Sequence, residues 1–270
     1  MAAESAMTLL EHLAELRARI IKSLVAFFVC TVLVFSFWYQ PVKRILVGPL
    51  DALDPNSPNP VVRFNPVVKL LRPYLSPNGG ASEPVALHAM AVSETFMVMF
   101  KISMLGGLIL SAPIILYQAW AFIGAGLLPR ERHVVLKYLP LSLILMIAGV
   151  LFGYFIAVPI ALIYLLGVDP DIKLVLMYSS YFGTIVIMLA MFGLAFQLPL
   201  VTMALARLGI VSVQTLRRSR RYAIVIIFII AAIVTPSPEP FSQCLLAFPM
   251  IGLYELGIRL AVVSDRRRKT

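Results

Sequence analysis

Reactive side chains are scarce in this chain of 270 residues. Its two cysteines, Cys30 and Cys244, both fall in apolar runs. There a thiol packs as a small hydrophobe and builds neither a disulfide framework nor a thiolate metal site. The three histidines, His12, His88 and His133, stand far apart, without the His-Glu-x-x-His spacing that brings two imidazoles onto one helical face around zinc. No nucleophile elbow and no phosphate-cradling glycine loop occurs. Catalysis is therefore not expected, and neither is a metal or cofactor. Charge is sparse as well: Asp, Glu, Lys and Arg make up 13% of the chain. With so little charge and 60% hydrophobic residues, no soluble core absorbs the apolar surface.

What is abundant is apolar sequence, with a mean hydropathy of +0.93. Lipid leaves backbone groups no water partner, so the expected fold is all-α: a polytopic membrane protein with six transmembrane helices. The spans are placed at residues 22–38, 94–115, 138–166, 182–206, 222–234 and 241–258. The last two are expected to be short. Their apolar runs, 222–234 and 241–254, hold 13 and 14 residues, which reach about 20 Å into a hydrocarbon core of about 30 Å. Between them Thr235-Pro236-Ser237-Pro238-Glu239-Pro240 forms a tight turn, residues 235–240, with Glu239 at its tip. Such a paired shortfall is expected to thin the bilayer.

Residues 1–21 precede the first span. Thr8-Leu9-Leu10-Glu11 fits a capping box, and Leu9, Leu13, Leu16 and Ile20 recur at helical spacing, so an amphipathic helix is predicted. Glu11 and Glu15 speak against a cleavable leader. Orientation follows from the basic residues. With the N-terminus inside, the segments 1–22, 116–137, 207–221 and 259–270 carry 16 of the 23 Lys and Arg, while 39–93 and 167–181 carry six. Both termini are predicted to be cytoplasmic. The net charge of +10 is explained by this bias and by anionic lipid, with no nucleic acid involved. The long segment 39–93 is rich in Pro, Asn, Ser and Gly and is predicted to be an outer loop, with an amphipathic piece at Val61–Leu75.

The polar residues left inside or beside the spans are few. Glu94 opens the second span, Lys101 lies about two turns further, and Gln197 interrupts the fourth in Phe196-Gln197-Leu198-Pro199. Lys101 is expected to snorkel outward or to share a wet concavity with Gln197. Glu11, Glu15 and Arg19 follow at four-residue steps, and Glu131 is a lone carboxylate in Pro129-Arg130-Glu131-Arg132. Two half-length helices call for a partner, so the hairpin is read as a docking surface for a single transmembrane helix. Thr235 and Gln243 would hydrogen-bond it, and Ile226, Ile230, Leu246 and Met250 would pack against it.

The segment His12-Leu13-Ala14-Glu15-Leu16-Arg17-Ala18-Arg19 resembles the opening of the TatC family of twin-arginine protein translocases. Ser111 to Ile123, followed by Gly126-Leu127 and Glu131, is similar to the family's second-span exit and loop. Thr235-Pro236 through Gln243, Ala247-Phe248-Pro249 and Leu253-Tyr254-Glu255 resemble its closing hairpin. The resemblance implies a membrane receptor that is not an enzyme. Such a receptor binds paired-arginine signal peptides of folded cargo, associates with itself, and recruits single-span TatA/TatB-type subunits for transport driven by the proton-motive force. It implies that Glu15 and Glu131 contact the signal, supported by Leu16, Arg17, Tyr117, Trp120 and Phe122. The chain departs from the family pattern in carrying Gln197 where a glutamate is frequent and Glu239 where an aspartate is usual.

The competing class is a proton-coupled small-solute transporter. It would show inverted repeats and ionisable ligands at the midplane, neither of which is evident. Topology is open to a direct check. In a background lacking Cys30 and Cys244, single cysteines at Ser5, Ser219 and Thr270 should resist an impermeant thiol reagent in intact cells, and one at Asn78 should react. Labelling of position 270 from outside would defeat the six-span arrangement.

Overall fold

The computed structural model describes residues 9–51, 87–125, 138–167, 176–207, 209–234 and 240–269. They are almost wholly helical. Helix α1 (Leu9–Leu33) runs through a π-turn (Val34–Trp38) into α2 (Tyr39–Asp51), and α3 spans Val92–Ala125. Helix α4 (Leu139–Phe152) likewise passes through a π-turn (Gly153–Ala157) into α5 (Val158–Gly167). Next come α6 (Tyr178–Ala195), α7 (Leu198–Arg207), α8 (Val213–Arg218), α9 (Arg220–Val234) and α10 (Pro240–Lys269). Two strands of two residues, β1 (Leu87–His88) and β2 (Leu176–Met177), pair in parallel with Leu87 opposite Leu176. They tie together the chain entering α3 and the chain entering α6.

Five of these stretches are long and apolar enough to cross a membrane: 13–50, 92–124, 139–164, 178–207 and 240–263. Helix α9, at 15 residues, covers only about 22 Å and is the short one. The expectation of two short closing helices is corrected for the second. Helix α10 holds 30 residues, and its apolar stretch runs for 24, Pro240–Val263. The apolar run in the sequence ends at Glu255, but that carboxylate accepts from Arg220 at 2.7 Å, so the charge is paired and the helix continues past it.

The predicted loop 39–93 is corrected at its start, because α2 is helical through Asp51. The prolines there do not end the helix. A proline inside a helix frees the carbonyl four residues back, which for Pro49 is that of Ile45. The Tyr154 hydroxyl donates to this oxygen at 2.6 Å, and Tyr181 donates to the Leu46 carbonyl at 3.0 Å. Each π-turn also lies just ahead of a proline, Pro41 in one case and Pro159 in the other, where the α-helical ladder loses a donor. The segment Val61–Leu75 lies outside the described residues.

Packing follows the small residues. The most extensive helix pairs are α1 with α3 and α7 with α10. A Cβ on Gly107 would stand 2.7 Å from Thr31 Cα, so α1 and α3 touch backbone to backbone. A Cβ on Gly257 would stand 3.0 Å from Pro199 Cα, which seats α10 against α7. The bundle centre is filled by Phe182, Phe192, Ile102 and Leu189, all 2% exposed or less. Phe28, Val32, Ile144 and Ile233 point outward, as an apolar solvent permits.

Overpacking at such contacts costs about 1–3 kcal/mol. Gly107→Val and Gly257→Val should each lower the thermal stability of the detergent-purified protein by that amount, measured as aggregation on heating. Gly252→Ala meets nothing within 4 Å and should hold stability or gain up to about 1 kcal/mol.

Candidate functional site

Where α1 starts and α3 ends, one guanidinium joins the two helices. Arg19 sits one turn beyond Glu15, so its Nε donates to Glu15 Oε1 at 3.0 Å, and Nη2 reaches the same oxygen. Its Nη1 donates to Gln118 Oε1 on α3 at 3.2 Å. Both members of the ion pair are mostly shielded, with side-chain exposures of 17% for Arg19 and 20% for Glu15. The second carboxylate oxygen, Glu15 Oε2, is buried and has no hydrogen-bond partner among the described residues. A carboxylate held by one oxygen and unpaired at the other can accept a second charge-assisted donor once that oxygen is uncovered.

Around this pair, Leu16 is half-buried, while Arg17 and Tyr117 are exposed. Phe122 is half-buried and engaged with a neighbour. Trp120 differs from the expectation of a ligand-facing ring. It is 5% exposed and packs on Leu200, Met203 and Ala204, because this face of α3 is turned toward α7. Its ring lies 6.0 Å from that of Tyr138. Arg207 Nη1 in turn donates to the Tyr138 hydroxyl at 2.6 Å, with the guanidinium 5.6 Å above the ring. Trp120 and Tyr138 are thus fixed on either side of residues 126–137 in the sequence. Glu131 itself lies outside the described residues.

The intramembrane polar groups are scattered. Gln197 is held in the break between α6 and α7: its Oε1 accepts from Ser142 Oγ at 2.6 Å and its Nε2 donates to the Ser142 carbonyl at 3.0 Å. It borders a narrow apolar cavity with Leu105, Met146 and Leu189. Lys101 lines a different, larger groove, so among the described residues Lys101 and Gln197 border separate cavities and not the shared concavity expected. The reason is depth along the bundle, since Lys101 faces the start of α6 and Gln197 lies at its far end. Glu94, half-buried in the first turn of α3, accepts from the Met90 N–H at 3.0 Å and serves as an end cap.

The docking face predicted on the closing hairpin divides. Leu246 and Met250 are 1% and 4% exposed and belong to the core, whereas Ile226 is 54% exposed and Ile230 half-buried. Gln243 Nε2 donates to the Phe228 carbonyl at 2.9 Å, bridging α10 to α9 within the chain. Spacing picks out one face of each helix but not which of those faces meet. What α9 presents outward is Tyr222, Val225, Ile226, Ile229 and Ile233. Thr235 and Glu239 lie outside the described residues.

The model of the family described as Sec-independent protein translocase protein (TatC) matches residues 11–249. The chain belongs to the TatC family. It is 34% identical to the Sec-independent protein translocase protein TatC of Carboxydothermus hydrogenoformans over 94% of this chain and 93% of that protein. It is 32% identical to TatCy of Bacillus subtilis over 97% of this chain and 91% of that one. A crystal structure of the twin-arginine translocase receptor TatC superposes with a TM-score of 0.75 at 32% identity, covering 94% of this chain and all of that chain. Like its TatC relatives, the protein is an integral membrane component of a translocase, with several membrane-crossing helices.

Among the residues this placed in view, Gln118, Tyr138 and Arg207 were not singled out in the sequence. Their partners lie 99 and 69 residues away in the chain, and no spacing rule reaches that far. The Gln197–Ser142 pair can be tested by a double-mutant cycle. Gln197→Leu should cost about 0.6–1.7 kcal/mol of stability. Adding Ser142→Ala should cost nothing further beyond about 0.5 kcal/mol, since the two residues share one interaction.

Proposed function

We propose that this chain is the receptor component of a twin-arginine protein translocase. It binds paired-arginine signal peptides of folded cargo at the cytoplasmic end of α1 and α3, and recruits single-span TatA/TatB-type subunits for export driven by the proton-motive force. The protein crosses the membrane six times with both termini inside, and copies of it associate. The observation that carries this reading is Glu15: a mostly shielded carboxylate, fixed through Arg19 to Gln118, with its Oε2 buried and unpaired among the described residues. A guanidinium presents parallel N–H donors that suit such an oxygen better than the point charge of an ammonium does.

In this reading Glu131, which follows Trp120 and precedes Tyr138 in the sequence, supplies the second carboxylate. Exposed Arg17 and Tyr117 and half-buried Leu16 and Phe122 form the surrounding surface. The basic flanks repel ligands that bring positive charge without the matching geometry. Partner docking moves from the predicted hairpin face to the outward row of α9. This helix is too short to fill the bilayer alone, so a similarly short partner helix relieves part of the mismatch.

Binding of a labelled signal peptide to the detergent-purified protein tests the site. Glu15→Ala and Glu15→Gln should each weaken binding about five- to a hundredfold, the worth of one charge-assisted contact, with thermal stability nearly unchanged. A paired-lysine peptide should bind the wild-type protein more weakly than the paired-arginine one, and the difference should shrink in Glu15→Gln. Unchanged affinity in the Glu15→Gln, Glu131→Gln double variant would remove both residues from the site.

A further inference from the structure

At the opposite end of the bundle, where α6 and α10 begin, a groove of about 460 Å³ opens between α3, α5 and α6. Lys101 stands in it, with its Nζ 3.3 Å from where a Cβ on Gly183 would lie, so the missing side chain of Gly183 gives the ammonium its seat. The ion pairs between described residues are Arg19–Glu15 and Arg220–Glu255, and Lys101 belongs to neither. A cation at membrane depth without a counter-charge is costly and marks a place where an anion belongs.

The surroundings of Lys101 divide into two chemistries. Toward the start of α6 lie Ser179 and Ser180, in the first turn of a helix whose N-cap, Met177, supplies no side-chain acceptor. Ser242 stands across from them in the first turn of α10. Hydroxyl donors and the positive ends of two helices thus gather beside the ammonium. Away from them the wall is aliphatic, formed by Val158, Leu162, Ile187 and Met188. Ile187 is 40% exposed on the outer surface of the bundle. A free inorganic anion would use only the polar half. A carboxylate and a phosphate diester each offer two charged oxygens, but the diester of a phospholipid also brings an acyl chain for the wall.

We propose that this groove binds an anionic phospholipid, with its phosphate on Lys101 and the Ser179 and Ser180 hydroxyls and one acyl chain along Ile187 and Met188. The occupant follows from charge complementarity and from the medium, since Ile187 at the groove is exposed on a stretch long and apolar enough to cross a membrane.

The test uses the full chain purified in detergent and a phosphatidylglycerol carrying a photoactivatable acyl chain, with phosphatidylcholine as the uncharged-net control. Wild type should retain phosphatidylglycerol in preference to phosphatidylcholine and crosslink within α6 near Ile187 and Met188. Lys101→Gln should lower retention about tenfold, the scale of one charge-assisted contact, and Lys101→Arg should keep most of it. Ser180→Leu, which obstructs the polar end at an exposed position and leaves Lys101 intact, should also reduce crosslinking. Equal retention by wild type and Lys101→Gln, or crosslinks lying only outside the groove, would overturn the proposal. So would displacement by equimolar inorganic phosphate, or capture of a carboxylate-bearing single-span peptide at Lys101 with no preference for phosphatidylglycerol.

Discussion

In an apolar solvent every main-chain N–H and C=O must find its partner inside the protein, and the architecture of this chain is organised around that demand. Its 19 prolines make the demand acute, because each one placed inside a helix removes a donor. The bundle responds in three ways. Tyrosine hydroxyls from neighbouring helices cover the carbonyls near Pro49. π-turns precede Pro41 and Pro159. At the break ahead of Pro199, Gln197 ties the interrupted helix to α4 through two hydrogen bonds exchanged with Ser142. At Pro49 and at this break the support comes from another helix, so backbone satisfaction and tertiary packing are linked. Tyr154 and Tyr181 are therefore more than core aromatics, since they cover main-chain carbonyls of α2.

Close packing supplies what the hydrophobic effect cannot in lipid. Helices there attract one another through contact and hydrogen bonds, and small residues permit the approach. The Gly107–Thr31 contact does this for α1 and α3, and it has a consequence at their far end. With the two backbones in register, Arg19 on one helix reaches Gln118 on the other, and Glu15 is held by that arginine in turn. A flexible N-terminal helix could not position a carboxylate in this way. The glycine contact and the candidate site are thus two parts of one helix pair, separated by about three turns of α3.

The class of the protein and the placing of most helices were legible in the sequence because hydropathy and backbone demand act locally. So was the pairing of Glu15 with Arg19, since a carboxylate one turn from an arginine is visible in the sequence. Proline was the main source of error. Read locally, Pro41 and Pro49 end a helix; in the bundle they do not, because a π-turn precedes Pro41 and Tyr154, more than 100 residues away, donates to the Ile45 carbonyl that Pro49 frees. Helical phase was the second source: Leu246 and Met250 were expected on a docking face, because spacing along a helix does not reveal which neighbour each face meets. Lys101 and Gln197 were expected in one cavity because the register between two helices is not written in either one. The length of α10 was underestimated because its apolar run was read as ending before Glu255, whose counter-charge Arg220 belongs to another helix.

The few charges that remain are distributed in a way that separates two tasks. Glu255 is satisfied by Arg220 and stabilises the joint between α9 and α10. Glu15 is satisfied at one oxygen only among the described residues. If Arg19 engaged both oxygens, an incoming guanidinium would have to displace an internal one, exchanging like for like with little net gain. If Arg19 were absent, the carboxylate would be unanchored and its ordering would count against binding. Occupation of Oε1 alone avoids both outcomes, because the side chain is fixed beforehand while an acceptor is left for the ligand. A second positive charge arriving beside Arg19 is tolerated only if it is paired in turn, which is why the proposed site needs a second carboxylate nearby. In the proposed site a lone arginine would therefore be a poor ligand and a pair a good one: the first would neutralise what Glu15 leaves unpaired, and the second would require Glu131.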